Sequence, residues 1–151
     1  MDSSRRILVA VDASENSLRA IDYVGQIVGG RDDFEITLLH IVPQAVTDLF
    51  DKEEVQKSFQ EQIEAKESEL MERCRQRLLA AGAPEASIRT LSLIKDCPSL
   101  SECIIEERRR ENFGTIVVGR RGLSRTEEVL YGSVSSSIIH HADKCAIWVV
   151  A

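Results

Sequence analysis

Long apolar runs are missing from this chain. No window approaches the roughly 18 apolar residues that a membrane-spanning helix needs, so no membrane partner is expected. Aromatic residues are scarce, with one Trp, two Tyr and four Phe in 151 residues. Trp148 and Tyr131 stand far apart, which excludes a base-stacking platform. Positive charge is in the minority, 19 Lys+Arg against 25 Asp+Glu for a net charge of −6. That balance argues against a general nucleic-acid or anionic-membrane binder. The opening Met1-Asp2-Ser3-Ser4-Arg5-Arg6 has no apolar segment followed by a small-residue cleavage site, so the expected location is cytoplasmic. None of Cys74, Cys97, Cys103 and Cys145 forms a C-x-x-C pair. The expectation is reduced, buried thiols and no metal site, because a chain of this size needs no disulfide to fold.

What is present is an alternation of short apolar runs and amphipathic stretches. Ile7-Leu8-Val9-Ala10-Val11 is continuously apolar, as a strand covered on both faces should be. Ser14 or Asn16 is placed to cap a helix whose apolar positions are Leu18, Ile21, Val24 and Val28, stopped by Gly29-Gly30. Ile36 to Val42 reads as a second strand closed by Pro43. Asp51 to Ala81 reads as one long helix with Val55, Phe59, Ile63, Leu70, Cys74 and Leu78 on a stripe and charge on the other side. Asp51-x-x-Glu54 resembles a capping box, and Gln44 to Phe50 reads as a loop before it. Ile88 to Ile94 is a partly alternating strand, suited to a place near a sheet edge. Ser99-x-x-Glu102 opens the next helix, which Asn112 and Gly114 end. Thr115 to Val118, a helix over Gly132 to His141, and Ala146 to Val150 complete a βαβαβαβαβ order. That order predicts one α/β domain over 1–151: a five-stranded parallel sheet, doubly wound in three layers, Rossmann-like. Ligands of such sheets sit at the carboxyl ends of strands where the winding reverses, which directs attention to Asp12, His40 to Val42 and the loop after Val118. His40 itself reads as a packed histidine rather than a base.

The most informative stretch is Val118-Gly119-Arg120-Arg121-Gly122, then nine residues, then Gly132-Ser133-Val134. Glycines let backbone approach a phosphate, and Gly132-Ser133 opens a helix whose N–H groups and dipole favour an anion. Arg120, Arg121 and Arg125 add local positive charge. Neither G-x-x-x-x-G-K-[ST] nor G-x-G-x-x-G occurs, so the chain is neither a P-loop NTPase nor an ordinary dinucleotide-binding domain. Helix capping remains an alternative role for Asp12 and for Ser133.

The G-x-x-G, nine residues, G-S pattern resembles the nucleotide-binding signature of the universal stress protein (UspA-type) family, in its ATP-binding branch. Ile7-Leu8-Val9-Ala10-Val11-Asp12, Leu38-Leu39-His40-Ile41, Thr115 to Gly119 and Ile147 to Val150 resemble the family's strands in order. The resemblance implies an ATP, ADP or AMP ligand, with Mg or Mn carried by its phosphates. It implies that Gly119, Gly122, Gly132 and Ser133 hold ribose and phosphates, with a backbone N–H from Val134. It assigns Asp12 to the ribose or to a metal-bound water and the backbone of Ile41 to the adenine edge. Ala10 and Val11 would wall the base, and Val118 would pack on the nucleoside. Two departures stand out: Arg120 replaces a small hydroxyl residue, and Cys145-Ala146 replaces a proline-valine start to the last strand. The family's dimer often forms through that strand. The expected function is a homodimeric, nucleotide-binding sensor or adaptor in a stress response. The alternatives are an adaptor of the same fold that binds no nucleotide, or a slow ATPase. No catalytic residue is assigned, since Asp12 alone is placed to act as a base and the S-G-G-x-D-S loop of related hydrolases is missing.

Overall fold

The computed structural model describes residues 2–43, 53–120 and 133–151. The predicted parallel α/β architecture is what forms. The strands are β1 (Arg6–Ala10), β2 (Glu35–Pro43), β3 (Ile88–Lys95), β4 (Thr115–Gly119) and β5 (Ala146–Val150). The helices are α1 (Glu15–Val28), α2 (Glu53–Ala80), α3 (Leu100–Glu111) and α4 (Ser133–His141). All pairings are parallel, and the sheet order is β3-β2-β1-β4-β5. The chain therefore winds outward from β1 through β2 to β3, then returns to the other side of β1 and ends on β5. The reversal lies between β1 and β4.

The continuous apolar runs are explained by helices on both faces. Ile7, Val9 and Val11 join α1 and the second half of α2 in one core, with Ile21, Val24, Leu70, Cys74 and Leu78. Leu8 points the other way, into a core with Ile104, Phe113, Ile116 and Ile138 from the α3 and α4 side. The alternation in β3 marks an edge strand, as expected.

Helix boundaries follow local chemistry. Ser14 caps α1, its Oγ accepting from Ser17 N–H. Ser99 caps α3, its Oγ accepting from Glu102 N–H. Asn112 ends α3 in the left-handed region at φ 55°, a conformation that asparagine tolerates better than most residues. The capping box proposed at Asp51 and the loop from Gln44 to Phe50 lie outside the described residues and side chains.

Two expectations need correction. The first concerns the cysteines: Cys97 and Cys103 are joined as a disulfide, with Cα atoms 5.8 Å apart, while Cys74 and Cys145 are free thiols. Size alone gave no reason for a crosslink, but the turn that starts α3 folds the two residues together. The second concerns α2, whose stripe is not uniformly apolar. Glu67, four residues after Ile63 and three before Leu70, lies on the stripe and is buried. Its Oε1 sits 2.8 Å from His40 Nδ1 on β2, so a polar pair joins helix to sheet where the pattern suggested only apolar packing.

Candidate functional site

β1 and β4 end side by side at the winding reversal, and each end is shaped by its next few residues. Val11 N–H donates to the Leu39 carbonyl at 2.8 Å. The chain then leaves the sheet. Asp12 N–H donates to Ser17 Oγ at 2.9 Å, and Asp12 Oδ1 accepts from Ser14 N–H at 2.7 Å. The cap of α1 therefore belongs to Ser14, and Asp12 braces the turn before it. Asp12 is half-buried, which leaves its carboxylate reachable at the strand ends.

The departure of β1 determines what β2 presents. Leu39 turns its carbonyl toward β1. Ile41, two residues on, turns its backbone to the same side because strand geometry repeats every two residues. By then β1 has left the sheet for the Asp12 turn. The main chain of Ile41 thus faces the space beyond the end of β1, and its side chain is buried in the α3–α4 core.

On the other side of the reversal, Gly119 ends β4 against the start of α1. A Cβ there would lie 2.9 Å from the Asn16 carbonyl carbon. The glycine is required by close approach, since real Cβ atoms do not come so near. Val118 beside it is buried. Arg120 N–H donates to the Val150 carbonyl at 2.8 Å, and Ser135 Oγ to the Arg120 carbonyl at 3.4 Å. The Arg120 backbone thus ties β4 to β5 and α4, while the residue is exposed.

The expected site residues divide as follows. Ala10, Val11, Asp12, Ile41, Val118 and Gly119 gather at the carboxyl ends of β1, β2 and β4. Ser133 begins α4, and Val134 packs partly buried against the α3–α4 core. Gly122, Gly132 and the Ser133 side chain lie outside what is described. Sequence reasoning missed three contributors: Ser17, which holds Asp12; Ser135, which holds Arg120; and Glu67, the partner of His40. Ser17 carried a signal, since it lies five residues after a strand-end aspartate and three after the cap.

Near this site the Cys74 thiol is pushed up to about 11 by burial, with the Asp12 and Asp22 charges adding to the rise. It is an inert packing residue. Among the described residues, no cluster of three or more His, Cys, Asp or Glu is gathered to hold a metal ion, and no helix is long and apolar enough to cross a membrane.

Comparison with known proteins adds a family and a set of structural relatives. The model of the Universal stress protein family matches residues 3–151. None of the curated proteins compared matches the chain. Among solved structures, the universal stress protein UspA from Lactobacillus plantarum superposes with a TM-score of 0.76 at 22% identity, over 97% of each chain. A universal stress protein in complex with cAMP gives 0.69 at 20%, over 97% of this chain and 96% of that one. A universal stress protein from Archaeoglobus fulgidus in complex with dAMP gives 0.66 at 16%, over 97% of each. At these identities the likeness is one of fold.

Proposed function

We propose that this chain, which belongs to the universal stress protein family, is an adenine-nucleotide-binding protein that takes ATP, ADP or AMP across the carboxyl ends of β1, β2 and β4. The observation that carries the reading is the early end of β1, which leaves the Ile41 main chain beyond its last partner and sets the half-buried Asp12 in the turn that follows. A backbone edge can pair with the polar edge of adenine, and a carboxylate can accept from ribose hydroxyls. Ala10 and Val11 line the base side and Val118 the nucleoside. Gly119, Gly122, Gly132, Ser133 and the Val134 N–H would hold phosphates, since α4 begins at Ser133 and a helix start favours anions. A divalent cation would arrive with those phosphates and neutralise their charge. Relatives of the same fold in complex with cAMP and dAMP agree with an adenine nucleotide.

The protein would act as a sensor or adaptor of one domain over 1–151, its ensemble shifted by differential affinity for the nucleotide. Dimerisation through β5 fits the two sheet edges. β3 presents Arg89, Thr90 and Ser92, whereas Ala146–Val150 is wholly apolar. Beside β5, Tyr23 packs edge-to-face on Trp148 with ring centroids 5.9 Å apart, and Tyr23, Ile27 and Val149 are exposed. An exposed apolar edge strand invites pairing with a second copy.

The test replaces Gly132→Val together with Ser133→Leu and measures ATP binding by calorimetry and folding by far-UV circular dichroism. Loss of binding with an unchanged spectrum supports the assignment. Unchanged binding overturns it.

A further inference from the structure

The Cys97–Cys103 pair occupies a defined place in helix architecture. Ser99 is the N-cap of α3. Cys97 therefore lies two residues before the cap and Cys103 at the fourth helical position. An apolar contact between the residue before the cap and that fourth position commonly sets the angle at which a chain enters a helix. Here a covalent link spans nearly the same positions. Cys97 is half-buried, whereas Cys103 is 2% exposed. Cysteines beside helix starts are also the ones whose thiolates are favoured.

The same turn is connected to the middle of α4. Ser99 Oγ lies 3.1 Å from Ser101 Oγ, and the buried Ser101 donates to Ser137 Oγ at 2.9 Å. Ser137 stands one turn into α4 from Ser133.

We propose that Cys97 and Cys103 form a reversible dithiol–disulfide site whose oxidation stiffens the first turn of α3 and, through the Ser101–Ser137 hydrogen bond, the middle of α4. The oxidant is a low-molecular-weight disulfide. The Cys97 thiolate attacks one of its sulfurs, forming a mixed disulfide and expelling one thiolate. The Cys103 thiolate then attacks the Cys97 sulfur, closing the protein disulfide and expelling the second thiolate. Two protein thiols lose two protons and two electrons, and the oxidant is reduced to two thiols. Excess small thiol reverses both steps. That α4 is the phosphate-binding helix rests on the function proposed above; the redox chemistry and the stiffening do not.

The experiment equilibrates the full chain in oxidised and reduced glutathione mixtures, quenches with acid, labels with N-ethylmaleimide and maps tryptic peptides. Residues 96–108 form one peptide carrying both cysteines, while Cys74 and Cys145 fall in others. Peptide 96–108 is expected to pass between doubly labelled and internally crosslinked forms as the mixture changes, with Cys74 reduced throughout. Hydrogen exchange over 99–105 is expected to slow about tenfold on oxidation, with a smaller slowing over 134–140. Ser101→Ala should remove the effect on 134–140 and keep that on 99–105. Cys97→Ser, which alters the more exposed partner, should abolish both. A pair that stays dithiol in oxidised glutathione, a stable mixed disulfide on Cys97, a Cys97–Cys145 link, or identical exchange in the two states would overturn the proposal. Each readout is independent of nucleotide binding.

Discussion

The two ends of the sheet are built from different chemistry. At the amino end, charge is matched by charge. Arg6 lies 3.1 Å from Glu35, and Arg89 makes two bonds to Glu111 at 2.9 and 3.0 Å. Arg6 also stacks its guanidinium over Phe113, 4.7 Å from the ring centroid. At the carboxyl end, β1 runs out into the Asp12 turn and β4 ends at Gly119, and their neighbours are hydroxyls and backbone groups. Ser17 and Ser14 hold the Asp12 turn, and Ser135 and Val150 hold the Arg120 backbone. One end is a closed set of ion pairs that serves the fold. Around β1 and β4 the other is braced by hydrogen bonds from hydroxyls and backbone N–H groups, with no ion pair among them.

Four substitutions break or sharpen that contrast. Gly119→Val should have the largest effect, because its Cβ would press on the α1 backbone rather than on a movable side chain. Overpacking of this kind costs about 1–3 kcal/mol, and the upper part of that range is expected in a urea melt. Asp12→Ala should weaken ATP binding by about tenfold, about 1.4 kcal/mol, in a calorimetric titration while the fold persists. Ser17→Ala should cost about 1 kcal/mol, since it leaves the Asp12 N–H without its acceptor; binding should weaken with it as the turn loosens.

The smallest effect belongs to the amino end. Glu111→Gln should cost about 0.5 kcal/mol at neutral pH, because the pair is partly exposed and screened. ATP affinity should be untouched. The hydrogen bond from Arg89 holds the Glu111 carboxyl below the ordinary glutamate value of 4.5. Its folded-state value is depressed, so its contribution is present above 4.5 and is lost as pH falls through the lowered value. Melts at descending pH should show the gap between wild type and variant closing below pH 4.5.

Much of this was legible from residue pattern. Continuous apolar runs marked strands covered on both faces, alternation placed Ile88–Ile94 at an edge, and Ser14 and Ser99 announced helix starts. What escaped was set by tertiary partners. Glu67 occupied a stripe position, but its charge disguised it, because the histidine that receives it lies 27 residues away on β2. The Cys97–Cys103 link was hidden because cysteine spacing alone does not reveal that a cap lies between them; read together with Ser99, it would have. Gly119 was singled out for its approach to a ligand, and the structure adds a second demand on the same residue, the approach of α1. Gly122 and Gly132, expected to meet a phosphate, rest on the family pattern alone.

The most direct test of the central claim is calorimetric titration of the full chain with ATP and Mg²⁺ at two temperatures, after acid extraction of any nucleotide that co-purifies. An adenine nucleotide in the extract, or saturable binding with Kd on the order of micromolar, about −8 kcal/mol, is expected. A folded protein with no extractable nucleotide and no binding heat at either temperature would contradict it.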